Sequence, residues 1–192
     1  MALEIERKFL VSGDAWRAAA THSERILDGL LATSKGRKVR VRLYGDRATL
    51  AMKTRKRGCV RFEFEYDIPL ADARHMLQSE CGGRVLAKTR HYVPFAGKTW
   101  EVDEYETPLA GVVLAEVELT AADQELLLPS WVGRDVTDDP AFRKSRLFAG
   151  APAPGIGQAG GRPRAGGEER LRRERRAPVR GGVFLGSARA QA

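Results

Sequence analysis

Charged side chains recur at every second position in several segments of this sequence, and this is the pattern that could do chemistry. The first segment holds Glu4, Glu6 and Lys8, with Ile5 and Phe9 between and beyond them. Successive side chains of a β-strand point to opposite faces, so the three charged groups share one face and the apolar pair shares the other. A solvated edge strand explains this segment equally well on its own. The return of the pattern along the chain is what favours a functional site.

The charged positions of these alternating segments comprise seven acids and six bases. The acids are Glu4, Glu6, Glu63, Glu65, Asp103, Glu116 and Glu118, and the bases are Lys8, Arg40, Arg42, Lys53, Lys88 and Arg90. Clustered carboxylates without His or Cys favour a hard divalent cation, Mg²⁺ or Mn²⁺. Clustered Arg and Lys favour phosphate oxygens, which guanidinium groups contact through two donors at once. If these faces converge, the sequence predicts a site for a metal-bound polyanion, most simply a polyphosphate.

The elements that must position these residues are mostly strands. The alternation predicts strands over 4–11, 25–33, 37–44, 48–54, 60–68, 84–94, 98–105 and 112–119. Helical spacing and capping signals predict helices over 13–23, 69–79, 121–128 and 140–148, with Thr120 as the N-cap of the third. Two arrangements accommodate the charged faces: a sandwich with its charges in water, or a barrel with a charged lumen and helices outside. Periodicity does not separate them, but whole strands of one sign favour the barrel.

Composition divides the chain into two parts. The net charge is +8, and residues 150–192 contribute six of these charges through nine Arg and three Glu. The same 43 residues contain ten Gly and four Pro, which predicts a disordered Arg/Gly-rich tail after a folded domain over 1–149. The nearly balanced domain argues against nucleic acid as its partner, whereas the tail could bind an anionic polymer. The absence of a long apolar run and of a signal-peptide core predicts a cytoplasmic protein without a membrane partner.

A family resemblance adds to these patterns. Glu4-Ile5-Glu6-Arg7-Lys8 resembles the Glu-x-Glu-x-Lys signature of the CYTH superfamily, also called triphosphate tunnel metalloenzymes. The similarity continues in the family's order through Arg40-Val41-Arg42-Leu43, Lys53, Glu63-Phe64-Glu65, Lys88-Thr89-Arg90, Glu101-Val102-Asp103 and Ala115-Glu116-Val117-Glu118-Leu119. It implies a mainly β (α+β) fold, an eight-stranded antiparallel barrel whose tunnel binds a triphosphate and a divalent metal.

The resemblance also implies a role for each matched residue. Metal contacts are expected from the seven acids named above, and triphosphate contacts from the six bases. Catalytic roles are expected for Glu4, Glu6, Lys8, Lys88, Glu116 and Glu118, with a carboxylate or Lys88 as the acceptor of the water proton. Lys144, in the last helix, could reach the tunnel or face solvent, and Arg143 is expected to face solvent.

The activity expected from the resemblance is metal-dependent hydrolysis of a small triphosphate, most simply inorganic tripolyphosphate to pyrophosphate and phosphate. The alternatives are a class IV-type adenylate cyclase, a thiamine triphosphatase, or a non-catalytic polyphosphate- or nucleotide-binding module. A cyclase or thiamine triphosphatase needs a platform for a ring at the tunnel mouth. The sequence offers only Trp16, Trp100 and Trp131 for it, and each is expected to be structural. Related barrels often dimerise, so a homodimer is possible by analogy.

Overall fold

The computed structural model describes residues 2–149, so the predicted disordered tail over 150–192 lies outside the described residues. Strands dominate this range: β1 Ala2–Val11, β2 His22–Ser34, β3 Arg37–Tyr44, β4 Arg47–Lys53, β5 Val60–Asp67, β6 Val85–Phe95, β7 Lys98–Tyr105, β8 Val113–Glu118 and β9 Val132–Asp135. The helical segments are α1 Trp16–Ala19, α2 Leu70–His75, the π-helical turn Met76–Glu80, the 3₁₀ turn Pro140–Phe142 and α3 Lys144–Leu147. None of these helices is long and apolar enough to cross a membrane.

Eight of the strands close into an antiparallel barrel. Their order around the sheet is β5-β4-β3-β2-β6-β7-β8-β1, and pairing of β1 with β5 completes the circle. The closing contacts join the first residues of β1 to the start of β5, with Glu4 opposite Arg61. Further along, β1 pairs with β8 so that Glu6 lies opposite Glu118 and Lys8 opposite Glu116. The predicted barrel is therefore confirmed.

The apolar faces of most strands lie outside the barrel and form its core contacts, whereas Met52, Phe62 and Tyr66 of β4 and β5 are exposed. Ile5 and Phe9 belong to a buried cluster with Trp100, Val117 and Trp131. The alternate residues of the same strands, including the glutamates of β1 and β8, line an interior cavity. This separation excludes the sandwich, in which the charged faces would meet water. The three tryptophans are almost fully buried, which confirms their structural role.

Two further clusters attach the helical segments to the barrel. The helix α2 covers β3 and β4 through a cluster of Val41, Ala48, Ala73 and Cys81. The C-terminal part of the described range packs through another cluster that includes Phe142 and joins β2, β6, β7 and β8. The last predicted helix is thus divided into the 3₁₀ turn and α3, on either side of an extended Arg143.

Two predicted helices are wrong in extent or in kind. The first is only Trp16–Ala19, because β2 already begins at His22 and its pairing with β6 overrides local helix propensity. Residues 121–128 form no helix. There the Gln124 side chain accepts hydrogen bonds from Thr120 N and Oγ1, so Thr120 does not cap a helix. The strand β9, which pairs with the end of β1, was not predicted.

Candidate active site

The barrel encloses a cavity of about 660 Å³ whose wall carries both signs of charge. Every charged side chain on this wall comes from a barrel strand except Lys144, which comes from α3. The charged lining consists of Glu4, Glu6, Arg42, Arg47, Lys53, Glu63, Glu65, Arg90, Glu101, Glu116, Glu118 and Lys144. The alternating segments therefore converge, as the charge pattern requires.

Arg61 holds the two glutamates that begin the site. Its Nε donates to Glu4, and its Nη2 donates to Glu6 Oε1 at 2.8 Å. Lys53 Nζ donates to Glu4 Oε1 at 2.7 Å and to Glu63 Oε2 at 2.8 Å. Burial alone raises the pKa of Glu4, but the contacts with Arg61 and Lys53 lower that pKa well below its ordinary value. Glu4 is therefore a carboxylate throughout the physiological pH range.

Glu116 is the centre of a buried cluster of cations. Its Oε1 lies 2.9 Å from Lys8 Nζ, and its Oε2 lies 3.3 Å from Lys144 Nζ and 3.5 Å from Arg90 Nη2. Burial alone raises the pKa of Glu116, but Lys144, Lys8 and Arg90 lower it well below its ordinary value. In the segment of the last predicted helix, Lys144 is buried against this cluster, and Arg143 is exposed but also lines a cavity of the barrel.

Asp28 positions the two arginines of β3. Its Oδ2 accepts from Arg40 Nη1 at 3.0 Å and lies 3.3 Å from Arg42 Nε. All three side chains are buried. Burial alone raises the pKa of Asp28, but the two guanidinium charges lower it well below its ordinary value. A buried carboxylate thus balances part of the positive charge expected to face phosphate.

Lys88 and Asp103 form a buried layer behind the cavity wall. Asp103 accepts hydrogen bonds from Lys88 Nζ and from Arg90 Nε and Nη2, the Arg90 Nε bond being 2.7 Å long. Burial and the neighbouring Arg90 lower the pKa of Lys88 to about 8. Neither Lys88 nor Asp103 lines this cavity or the second cavity described below. Arg90, which lines the first cavity, is therefore fixed from behind by a carboxylate.

The predicted site residues divide between two cavities. A second cavity of about 430 Å³ is lined by Lys8 and Arg40 but not by Arg42 or Arg90. Lys53 lines both cavities, as do Glu6 and Lys144. The tunnel therefore has a first cavity rich in carboxylates and a second cavity rich in cations, with shared side chains between them.

The carboxylates of the first cavity supply the oxygen ligands that a hard cation prefers, but in this structure they pair with cationic side chains. Within residues 2–149, no three Asp, Glu, His or Cys side chains are grouped closely enough to hold a metal ion. Arg61 instead joins Glu4 and Glu6, so this pair already holds a positive group. Glu116 Oε1 is buried and accepts no hydrogen bond of suitable geometry. The donor set suits Mg²⁺ or Mn²⁺, provided that the guanidinium moves away.

Comparison with known proteins matches the CYTH domain to residues 2–146 of this chain. The chain belongs to the CYTH family. An inorganic triphosphatase of Acetivibrio thermocellus is 40% identical over 147 residues, which are 77% of this chain and 94% of the relative. An inorganic triphosphatase of Nitrosomonas europaea is 30% identical over 153 residues, which are 78% of this chain and 99% of the relative.

A solved structure supports the same family assignment. The crystal structure of an inorganic triphosphatase has a TM-score of 0.58 and 29% sequence identity to this chain. It aligns with 79% of this chain and 98% of the triphosphatase. The eight-stranded closed barrel is thus the architecture of the CYTH family, and the helices outside it match the predicted arrangement.

The structure also shows which charged residues of the barrel interior the sequence pattern missed. Arg61 shares the period-two face of Glu63 and Glu65, and Lys38 shares that of Arg40, so alternation could have identified both. Glu101 pairs with Arg90 and lines the first cavity; it could have been found as the alternate residue before Asp103. Asp28 was not predicted, because its period-two neighbours Ile26 and Leu30 are apolar.

Proposed function

We propose that this CYTH chain is a metal-dependent triphosphatase that cleaves inorganic tripolyphosphate into pyrophosphate and phosphate. The observation that carries the proposal is the lining of the first cavity, where carboxylates and cations predicted to bind phosphate lie together inside a closed barrel. The two relatives named as inorganic triphosphatases, each matched over nearly its whole length, support the same activity. A pure anion site would not place seven glutamates on the wall beside its ligand.

The chain's own residues would bind and orient the substrate. Arg42 and Arg90 present guanidinium groups that are braced by Asp28 and Asp103, so their donors are held toward the phosphates. Lys53 sits between the cavities and would contact the middle of the chain of phosphates. Lys8, Arg40 and Lys88 remain the other predicted contacts. Prior positioning of these charges favours the transition state, because they need no reorganisation as negative charge moves to the leaving group.

The four glutamates predicted as the main metal ligands belong to two neighbouring strands. Glu4 and Glu6 of β1 and Glu116 and Glu118 of β8 would hold the ion, with contributions from Glu63, Glu65 or Asp103. A bound Mg²⁺ or Mn²⁺ would neutralise charge on the phosphoryl oxygens. For the proton of the attacking water we propose a carboxylate of the first cavity as acceptor, since Lys88 is buried against Asp103.

A second candidate function rests on the aromatic side chains at the first cavity. Tyr44, Phe64, Tyr66 and Tyr92 line it, and Tyr66 is 64% exposed. The three tryptophans offered by the sequence are buried elsewhere, so these four rings are the aromatic side chains on the wall of the first cavity. These rings could stack on the base of ATP or on the rings of thiamine triphosphate, so a class IV-type adenylate cyclase and a thiamine triphosphatase remain the alternatives.

The test is phosphate release from tripolyphosphate, ATP and thiamine triphosphate in the presence of Mg²⁺ or Mn²⁺, with pyrophosphate and cyclic AMP measured in parallel. Glu6→Ala should reduce tripolyphosphate hydrolysis by about 100-fold or more, since it removes a predicted metal ligand. Glu125→Ala, which removes an exposed glutamate outside the tunnel, is the matched control and should keep the wild-type rate.

Other outcomes of this assay would assign a different function to the chain. Cyclic AMP with pyrophosphate would identify a cyclase. Preference for thiamine triphosphate as the substrate would identify a thiamine triphosphatase. Tight binding of tripolyphosphate without any turnover would support the non-catalytic binding module and overturn the proposal.

Three other expectations remain proposals. They are a cytoplasmic location, a homodimer, and binding of nucleic acid or another anionic polymer by residues 150–192, which are not among the described residues. Native mass spectrometry of the full chain, with and without an oligonucleotide, tests the last two.

A further inference from the structure

One part of the barrel exterior has no apolar cover within residues 2–149. On one side of it, α2 covers β3 and β4 through the cluster that contains Ala48 and Ala73. On the other side, the cluster around Trp131 covers β1 through Ile5. Between these covers lie apolar side chains that belong to none of the buried clusters. We call them the apolar strip; they are Leu3 of β1, Met52 of β4, and Phe62, Phe64 and Tyr66 of β5.

The apolar strip is continuous, because its members are neighbours across adjacent strands. Phe62 lies opposite Leu3, and Phe64 lies opposite Met52. Leu3 is 51% exposed, Met52 41%, Phe62 43% and Tyr66 64%. These four side chains expose about 400 Å² of apolar surface, an area at which such patches often serve as interaction sites. Leu3, Phe64 and Tyr66 also border the first cavity, so the apolar strip extends to the rim of that cavity.

The two ends of the apolar strip carry opposite charges. At one end, the connection from β4 to β5 presents the exposed Arg55 and Arg57. At the other end, β5 finishes at Asp67, whose side chain is 81% exposed and lies 3.9 Å from Arg47, and the turn before β4 presents the exposed Asp46. A two-fold axis perpendicular to β5 reverses the direction of the strip, so it brings the basic end of one copy to the acidic end of the other. The surface is therefore complementary to itself in an antiparallel arrangement.

We propose that two copies of this chain associate through the apolar strip about a two-fold axis, with their β5 strands antiparallel. A stable interface buries about 800 Å² on each partner, so the apolar strip supplies about half of the required area and the charged ends supply the rest. A second copy fits this surface because it offers an apolar area of the same size with both charges in the required order. The proposal identifies the surface of the homodimer and does not depend on the proposed hydrolysis.

The direct test is sedimentation velocity of the full chain over a range of concentrations, comparing Phe62→Glu with Phe95→Glu. Phe95 is 38% exposed and lies at the end of β6, outside the apolar strip, so the two variants make the same change on surfaces of similar exposure. Phe62→Glu should weaken dimerisation by about 100-fold, because it places two like charges without partners in the contact. Phe95→Glu should stay within about twofold of the wild type, since its new charge remains in water.

A charge exchange tests the antiparallel arrangement. Arg57→Asp and Asp67→Arg should each weaken the dimer by about threefold, because each places like charges together across the interface. The double variant exchanges the two ends and should recover most of the wild-type affinity. Additive losses in the double variant would overturn the antiparallel arrangement.

Three results would overturn the proposed surface. They are a wild type that remains monomeric at every concentration, an equal loss in Phe62→Glu and Phe95→Glu, or a dimer that Phe62→Glu leaves intact. Met52→Glu repeats the test if Phe62→Glu does not fold, and it should also weaken the dimer.

Tripolyphosphate hydrolysis by the same samples separates this proposal from the proposed function. A wild type that dimerises through the apolar strip but hydrolyses no triphosphate would leave the interface standing and remove the proposed function. A wild type that hydrolyses tripolyphosphate but never dimerises would do the opposite.

Discussion

At the scale of single residues, Asp28 illustrates how a buried charge organises this tunnel. It is 3% exposed and accepts from Arg40 and Arg42, two residues expected to contact phosphate. Removing the charge from a buried ion pair costs more than the pair contributes, because the partners remain buried and uncompensated. Asp28 therefore holds both arginines in place.

We expect Asp28→Asn to lower the free energy of unfolding by about 3 kcal/mol at neutral pH. The folded-state pKa of Asp28 lies below its unfolded value, so its stabilising effect is present above about pH 4 and is lost as the pH falls toward the folded-state pKa. The difference between wild type and variant should therefore shrink in acid. Urea unfolding at neutral and acidic pH measures it, with the exposed Asp14→Asn as control. A difference independent of pH would contradict the assigned charge.

Arg61 supports a second prediction at this scale. In Arg61→Gln, Glu4 and Glu6 lose the guanidinium that joins them, so the metal-free protein should lose about 3 kcal/mol of stability. Added Mg²⁺ should raise the melting temperature of the variant more than that of the wild type, because the ion no longer has to displace a cation.

The matched control for this prediction is Arg25→Gln, which removes an exposed arginine paired with Glu106 on the barrel exterior. Its effect should stay below about 1 kcal/mol and should not respond to Mg²⁺. Calorimetric melting with chelator and with Mg²⁺ compares the two. Equal stabilisation of wild type and Arg61→Gln by the metal would show that Arg61 does not occupy the metal position.

At the scale of elements, the contact between β2 and the segment after α2 depends on a glycine. A Cβ built on Gly29 would lie 2.6 Å from Cys81 Sγ and 2.7 Å from Leu77 Cδ2. The close approach keeps the helical segment against the sheet beside Val41. Since Gly29 is next to Asp28, the same contact also holds the strand that carries the buried carboxylate.

Gly29→Ala should therefore destabilise the fold by about 1–3 kcal/mol through overpacking. In a Cys81→Ala background the same change should cost less, because the sulfur that meets the new methyl group is gone. Denaturant unfolding of the two single variants and the double variant gives the coupling energy. Additive effects would mean that the segment moves away freely and that the close contact is not a constraint.

The predictions for individual elements succeeded and failed for physical reasons. Strands with strict alternation were predicted to within a few residues. Apolar and polar residues alternate along a half-buried strand, and this alternation is visible in a short stretch of sequence. The predicted helices over 13–23 and 121–128 had only short-range signals, and sheet pairing or side-chain contacts overrode them. The strand β9 has four residues and pairs only with the end of β1, so its sequence carries too little periodicity to identify it.

At the scale of the whole molecule, the described range already contains a complete barrel and the apolar clusters around it. The sheet closes through the pairing of β1 with β5, and all three clusters consist of residues between 5 and 148. The family match ends at residue 146. The proposal that the tunnel domain spans residues 1–149 rests on these bounds.

A chain ended after Ala149 should therefore melt within a few degrees of the full chain and hydrolyse tripolyphosphate at a rate within about twofold. Calorimetry and phosphate release on both proteins measure this, and the full chain is its own control. A large loss of stability would show that residues 150–192 contribute to the folded domain. A loss of activity alone would place part of that segment at the tunnel.

For most strands, the sequence by itself determined which residues face the lumen and which face the core; in β5, Phe64 and Tyr66 line the first cavity together with Glu65. Alternation is a property of neighbouring residues, and closure of the barrel leaves the two faces unchanged. Together with the ordered CYTH motifs, it was enough to predict the barrel and most of the charged residues on its inner wall.

Only the tertiary structure decided which charged side chains form ion pairs with one another. Lys53 bonds a glutamate 49 positions away, and Arg61 bonds one 57 positions away, so strand register and barrel closure create these pairs. The same closure separates the first cavity from the second and buries Lys88 and Asp103 behind the wall. Electrostatic energy depends on distance and on burial in space, and neither quantity can be read from the order of residues along the chain.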